Sequence, residues 1–259
     1  MDYQIALLFI TFIIYSFFGY LIEVTSMTLD NKKLVLSRGF LIGPIIPVFG
    51  FGALAIILFL TRYSDEIITL FIMSTVICMV IEYFTSFLME KIFNLRWWDY
   101  SYKKYNINGR VTLDFCLYFG IGGVIMLKFI HPLISKLLLS IDPKVIVIIG
   151  TILLILFIID FVVSTDIIFR FKKNVHKLVK KDSTFRIKKE VRRVLKERSL
   201  LTIRLIKAFP YVNRNNKDHE ITKLHKLVLD KKDYKNIQEK RKGRKWFISF
   251  FFLFTRQIC

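Results

Sequence analysis

Residues Ile67–Phe93 read IITLFIMSTVICMVIEYFTSFLMEKIF, an apolar run interrupted by few charges. About 20 predominantly apolar residues in a helix are enough to cross the hydrocarbon core of a bilayer. The run therefore predicts a membrane-spanning helix. Glu82, Ser86 and Glu90 recur every four residues within it. A helix would place them on one face, with about 12 Å between the two acids at about 1.5 Å per residue.

Four further apolar runs of similar length predict four more spans. They cover residues 3–27, 40–60, 111–139 and 145–169. Apolar residues make up 54% of the chain. They are grouped in long runs, which indicates that lipid surrounds this part of the protein. The sequence thus predicts an all-α, polytopic integral membrane protein with about five transmembrane helices in residues 1–169.

Residues 170–259 differ from this apolar part in charge. They hold 28 Lys and Arg against 8 Asp and Glu, whereas residues 1–169 hold 12 of each, so they carry the whole net charge of +20. Apolar residues recur at helical spacing up to Pro210, which predicts amphipathic helices in a basic tail. Beside a membrane domain such a tail favours anionic lipid as its partner, with nucleic acid the less favoured alternative.

The loops between the predicted spans carry unequal numbers of basic residues. The first and third loops are rich in Lys and Arg, the second has only Arg62, and no basic residue precedes the first span. Basic loops stay on the cytoplasmic side. We therefore predict an external N-terminus and a cytoplasmic tail, which an odd number of spans satisfies.

Six acidic residues fall within the predicted spans. A charge at bilayer depth costs roughly 2.5 kcal/mol or more on insertion scales, so it usually faces water or a protein interior. For three of them we predict a polar cavity open to the cytosol and also lined by Ser86: Glu23, Glu82 and Asp160. The other three lie near span ends, where pairing with loop cations is expected: Glu90, Asp114 and Asp166.

Two prolines and several glycines stand at the start of the second predicted span, in SRGFLIGPIIPVFGFG. Gly43 and Pro44 lie at its centre. Proline removes a helical donor and glycine permits unwinding or close approach. A broken helix that lines the cavity and ordinary packing through small residues are both compatible with this pattern.

Arginines and tryptophans flank the predicted cavity on the cytoplasmic side. Arg38 and Arg110 are expected to pair with the intramembrane acids or with an anionic headgroup. Trp97 and Trp98 are predicted interface anchors, in a loop whose full run, WWDYS, also suggests local structure. Phe119–Gly123 reads FGIGG, and helix packing is its expected role.

Motifs for several chemistries are missing from the sequence. It contains no GxxxxGK[ST], HExxH, GxSxG or GxGxxG. Its three cysteines form no CxxC, so neither a zinc site nor a disulfide framework is predicted. We expect no metal and no cofactor, and an enzyme is the less favoured interpretation.

Several ordered segments resemble one known family. YSFFGYLIE at Tyr15–Glu23, the run from Ser37 to Pro47, EYFTSFLMEKIF at Glu82–Phe93, WWDYS, and NGRV at Asn108–Val111 are similar to the bacterial ABC transporter permease family called CmpB, or ABC-transporter type IV. The resemblance covers about residues 5–125 well. It implies a permease subunit in a bacterial plasma membrane that works with a separate ATPase.

Five spans are few for a transport path, so a homo-oligomer or a partner permease is also expected. Two alternatives of other classes stay open. One is an integral-membrane enzyme or lipid-handling protein at the inner leaflet. The other is a non-transporting scaffold whose tail binds lipid or nucleic acid.

Overall fold

The computed structural model describes residues 1–31, 34, 39–93 and 98–179. The described part is mostly helical. Its elements, in chain order, are α1 (Tyr3–Asn31), α2 (Pro47–Leu60), α3 (Ile67–Phe93), β1 (Asn106–Ile107), β2 (Val111–Thr112), α4 (Leu113–Ile125), α5 (His131–Leu139) and α6 (Pro143–Val179). A 3₁₀ turn, Thr61–Tyr63, follows α2, and a π-helical turn, Met126–Ile130, joins α4 to α5.

Four helices are long and apolar enough to cross a membrane. They cover Tyr3–Leu29, Ile67–Phe93, Leu113–Leu139 and Pro143–Arg170. These correspond to four of the five predicted spans, and α3 has the predicted bounds. The predicted fourth span begins two residues early, because Val111 and Thr112 pair with β1 before the helix starts. Helix α6 continues past the predicted boundary at residue 169, and residues 180–259 lie outside the described part.

The second predicted span needs a correction. We predicted a helix over residues 40–60, but α2 begins only at Pro47 and has 14 residues. Prolines 44 and 47 have no backbone N–H, so a helix through this segment would lose donors there. The N–H of Ile46 instead donates to the carbonyl of Ser16 in α1, over 3.0 Å. Pro47 then occupies the first turn of α2, where its missing N–H costs nothing.

Two apolar clusters show how the helices run. At one end, here called the amino end, Ala6 of α1 packs with Leu138 of α5 and Ile146 of α6. At the opposite end, called the hairpin end because β1 and β2 lie there, Phe93 of α3 packs with Ile168 of α6. Helices α1, α3 and α6 therefore run from the amino end to the hairpin end, and α2 and α4–α5 run back.

Close helix contacts in the middle of the bundle depend on glycine. A Cβ atom added to Gly50 of α2 would collide with Ser16 and Phe12 of α1. A Cβ atom on Gly123 of α4 would lie 2.7 Å from the side chain of Ser74 in α3. The predicted packing role of the Phe119–Gly123 run is therefore confirmed, and small residues hold α3 against α4.

Candidate functional site

A buried polar face runs along the hairpin-end half of α3. Glu82 is 6% exposed and Ser86 is 4% exposed, although both lie in a helix surrounded mostly by apolar side chains. Their four-residue spacing places them on the same side of α3 as Glu90. This side faces other helices and not the outer surface of the bundle, which is the placement that the cost of charge at bilayer depth requires.

Two groups from other elements reach Glu82. The hydroxyl of Tyr100 donates a hydrogen bond to its carboxylate, and the carboxylate of Glu23 on α1 lies close enough to repel it. Of the two carboxylate oxygens, Oε2 has no hydrogen-bond partner. Glu23 and Glu82, predicted to share a cavity, are therefore brought together around a tyrosine that sequence reasoning did not select.

The segment between α3 and α4 positions Tyr100. Asn108 and Gly109 both have positive φ, 53° and 68°, and the N–H of Arg110 donates to the carbonyl of Ile107. A tight turn therefore joins β1 to β2, with Ile107 paired to Val111. The N–H of Tyr100 donates to the carbonyl of Gly109 over 2.7 Å. The hairpin thus fixes the backbone from which the tyrosine reaches Glu82.

The electrostatic setting keeps Tyr100 protonated. Withdrawal of its hydroxyl from solvent raises the pKa of Tyr100 well above its ordinary value, and repulsion between a phenolate and the carboxylates of Glu82 and Glu23 raises it further. At physiological pH the phenol therefore remains a hydrogen-bond donor. Among the described residues, no group of three His, Cys, Asp or Glu side chains could hold a metal ion.

Arg110 connects the hairpin to α3. It is 9% exposed, and its Nη1 lies 2.9 Å from Oε2 of Glu90. Its guanidinium also stacks over the rings of Tyr83 and Phe87, 5.5 and 5.4 Å from their centroids. Such a cation–π contact is worth about 0.5–2 kcal/mol, more when desolvated. Arg110 was predicted to pair with the cavity acids or with a headgroup. The acid that it pairs with is Glu90, for which pairing with a loop cation was expected.

The acids assigned to span ends all have cationic partners. Besides Glu90, Asp114 pairs with Lys103 over 2.7 Å, and Asp166 pairs with Arg170 over 2.7 Å. In the exposed Asp166–Arg170 pair both side chains contact solvent, so it contributes little to stability. The assignment of these three acids to structural pairing agrees with the structure.

Trp98 makes a specific contact within the hairpin segment. Its indole Nε1 donates to the carbonyl of Arg110 over 2.8 Å. This bond orders the loop on which Tyr100 lies, so the expectation of local structure in the WWDYS run is met for residues 98–101. Trp97 and Arg38, the other predicted anchor and the other predicted basic partner, lie outside the described residues.

Asp160 on α6 forms a different kind of site. Its Oδ1 accepts hydrogen bonds from the N–H of Ile42, over 2.9 Å, and from the hydroxyl of Ser164, over 2.9 Å. Its Oδ2 accepts from the N–H of Gly43 over 2.7 Å. A Cβ atom on Gly43 would lie only 2.8 Å from Oδ2, so glycine is required for this approach. Asp160 and Gly43–Pro44 were both selected from sequence, and the structure joins them.

A family model described as "Putative ABC-transporter type IV", ABC transporters of the CmpB type, matches residues 10–165. The match covers more than half of the chain. The chain belongs to the CmpB family. Comparison with curated proteins gives no match, and neither does comparison with solved structures.

Membership of the CmpB family and the apolar helices together identify a membrane protein of ABC-transporter type. The matched range contains Glu23, Glu82, Tyr100 and Asp160, and it ends before the basic tail. Both polar sites therefore lie in the part of the chain that defines the family.

Sequence reasoning selected most of the polar residues but missed the groups that they contact. No periodicity signals that a tyrosine in a loop reaches Glu82, or that Asp160 accepts from backbone N–H groups 117 and 118 positions away. The turn residues Asn108 and Gly109 were the available signal for the hairpin, since this dipeptide is the usual type I′ turn sequence.

Proposed function

We propose that this CmpB-family chain is the permease subunit of a transport system whose ATPase is a separate chain. Its family places it among proteins of ABC-transporter type, and its sequence carries no P-loop motif for binding the ATP phosphates. The four long apolar helices supply the membrane part of such a system. A bacterial plasma membrane is the proposed location, with the N-terminus outside.

A fifth crossing of the membrane is part of this proposal. Helix α2 begins beside Ser16, near the middle of α1, and runs toward the amino end. Residues 39–46 lead from the hairpin end to that point without forming a helix. In hydrocarbon, non-helical backbone is tolerated only where it is buried in protein or lines a cavity. Asp160 supplies acceptors to this segment, which supports a broken crossing over residues 39–60.

The polar face of α3 is the proposed lining of the transport path on the cytoplasmic side. The observation that carries this is the placement of Glu82, a nearly buried carboxylate that meets Tyr100 and Glu23 inside the bundle. An acid placed only for solubility would point to a helix end or to water. The broken segment around Gly43 and Pro44 would bound this region on the α6 side.

Partners of three kinds complete the proposal. One described bundle offers few helices for a path, so two copies, or this chain with a second permease, would form it. The basic residues of 170–259 would contact anionic lipid headgroups at the cytoplasmic surface. The ATPase would bind on the same side, because the hairpin end and the tail lie there in the proposed orientation.

Purification from native membranes tests the proposal. The tagged chain, extracted in mild detergent, should retain a subunit that hydrolyses ATP, and the reconstituted complex should hydrolyse ATP. Glu82→Gln should change that activity, while Glu66→Gln, an exposed acid in the turn before α3, should not. A complex with no ATP-hydrolysing subunit, or a Glu82→Gln complex of unchanged activity at normal protein levels, would contradict it.

Reporter fusions test the crossing number separately. A reporter at the N-terminus and one placed after Val179 should lie on opposite sides of the membrane. If both report from the same side, residues 39–60 do not cross, and the proposed topology is wrong.

A further inference from the structure

One oxygen of Glu82 is left without a partner inside the bundle. The residue is 6% exposed, and Oε2 has no hydrogen-bond partner. The hydroxyl of Tyr100 is directed to the same carboxylate. An ionised carboxylate oxygen buried without a partner is costly, because it gives up hydration and gains nothing. Oε2 therefore needs a partner that the described side chains do not supply.

The groups around Glu82 do not balance its charge. Glu23 faces it from α1, Tyr100 from the segment before the hairpin, Cys116 from α4, and Cys78 lies on α3 itself. Each of these is acidic or neutral. In the described ranges, Arg110 is the nearby cation, and it is engaged with Glu90 and two aromatic rings.

The ligands that could bind Oε2 of Glu82 differ in the space and in the number of coordinating groups that they need. A metal cation needs several ligands in a defined geometry, and the described residues bring no three suitable side chains together. An organic cation needs space beside the carboxylate. A proton needs one lone pair, and Oε2 of Glu82 offers that without any further ligand.

We infer that Oε2 of Glu82 binds a proton, which exchanges with water at the hairpin end beside Tyr100. The proton comes from hydronium and forms an O–H bond to Oε2, which makes the acid neutral. Tyr100 keeps its own proton and donates to the carboxyl group of Glu82 in both states. Binding of the proton follows from the burial of Glu82 and from its unpartnered oxygen, and its use as a coupling ion for transport rests on the proposed function.

Infrared difference spectroscopy of the full chain in lipid bilayers tests the inference directly. The wild-type protein at neutral pH should show the carbonyl stretch of a protonated carboxylic acid, and the band should shift in heavy water. Glu82→Gln should remove it, and the matched control Glu66→Gln should keep it. A wild-type spectrum without the band, or a band that survives Glu82→Gln, would overturn the inference.

A second variant guards against an uninformative loss of structure. Tyr100→Phe removes the hydrogen bond to Glu82 but leaves the proton on Oε2. The band should therefore remain and move to higher wavenumber, because its carbonyl has lost a donor. An unmoved band in Tyr100→Phe would mean that another acid carries the proton, and the assignment to Glu82 would fail.

These results are independent of the ATPase experiment. A chain that purifies without an ATP-hydrolysing subunit but shows the Glu82-dependent band would end the permease proposal and support the proton site. A chain that purifies with active ATPase but lacks the band would do the reverse.

Discussion

Asp160 and Glu82 are both acids at bilayer depth, yet their surroundings differ. The two oxygens of Asp160 accept three hydrogen bonds from Ile42, Gly43 and Ser164. Glu82 has one donor, Tyr100, and one oxygen with none. The first arrangement satisfies the chain's own backbone, and the second leaves capacity for something else. Both acids are buried, so burial alone does not indicate what an acid does. The groups that each acid contacts distinguish the two.

The largest expected effect is on the structural acid. Asp160→Ala removes the carboxylate that accepts from the N–H groups of Ile42 and Gly43, in a segment that has no helix to satisfy them. The N–H of Ile42 keeps the hydroxyl of Ser164 as an acceptor, over 3.2 Å. Each hydrogen bond to a charged group contributes about 1.5–3 kcal/mol, so we expect the variant to lose about 4 kcal/mol of stability or to accumulate poorly. Thermal unfolding of the detergent-solubilised protein measures this.

Ser164→Ala provides a graded version of the same test. It removes one donor to Oδ1 and a second acceptor of the Ile42 N–H, but it leaves both backbone bonds to Asp160, so about 1 kcal/mol should be lost. Asp166→Asn, in an exposed pair on the same helix, should change stability by less than about 0.5 kcal/mol. An Asp160→Ala protein as stable as Asp166→Asn would show that the carboxylate does not hold the broken segment.

The next effect concerns the hairpin. Arg110→Ala removes the cation that lies 2.9 Å from Glu90, whose side chain is about 16% exposed, and it also removes two aromatic contacts. Breaking one side of a buried ion pair typically costs 3–5 kcal/mol, and the partial exposure of Glu90 places the expectation at about 3 kcal/mol. Thermal unfolding should show the loss, and Arg170→Ala, in an exposed pair, should show almost none.

Arg110→Met separates charge from packing at the same position. It keeps much of the side-chain volume but no charge, so stability should stay close to that of Arg110→Ala if the ion pair dominates. Recovery of most of the stability in Arg110→Met would assign the effect to contacts with Tyr83 and Phe87 and remove the ion pair from the explanation.

The sequence predicts the features of this fold that depend on local interactions better than those that depend on contacts between distant residues. Apolar length alone placed α3 at its observed bounds, because hydrocarbon thickness sets that length. The same reasoning extended α2 through Pro44 and Pro47, although those prolines predicted a break, since hydropathy does not record lost donors. The acid at 160 was selected for its depth, but its backbone partners lie on a segment far away in sequence, and no local pattern encodes that contact.

A smaller effect is expected at Tyr100. Tyr100→Phe removes one hydrogen bond to Glu82 and keeps the ring in contact with Phe115, whose centroid lies 4.8 Å away. A single hydrogen bond contributes about 1 kcal/mol, so unfolding should occur only a few degrees lower. A loss as large as that of Arg110→Ala would mean that Tyr100 is a structural element of the hairpin, and the distinction between the two acids would weaken.

The smallest expected change in stability is also the most informative. Glu82→Gln keeps the oxygen that accepts from Tyr100, and it replaces the unpartnered oxygen with an amide of the same size that can donate to Glu23. It resembles the neutral acid, so the free energy of unfolding should change by less than about 0.5 kcal/mol. Asp160→Asn differs, because it replaces one accepting oxygen with an NH₂ group that cannot accept from the backbone N–H it faces. The free energy of unfolding should therefore fall by about 2 kcal/mol. Thermal unfolding of Glu82→Gln and Asp160→Asn, measured side by side in the same detergent, makes the comparison. If the two losses are equal, both acids serve the same structural purpose, and Glu82 has no spare capacity for a ligand.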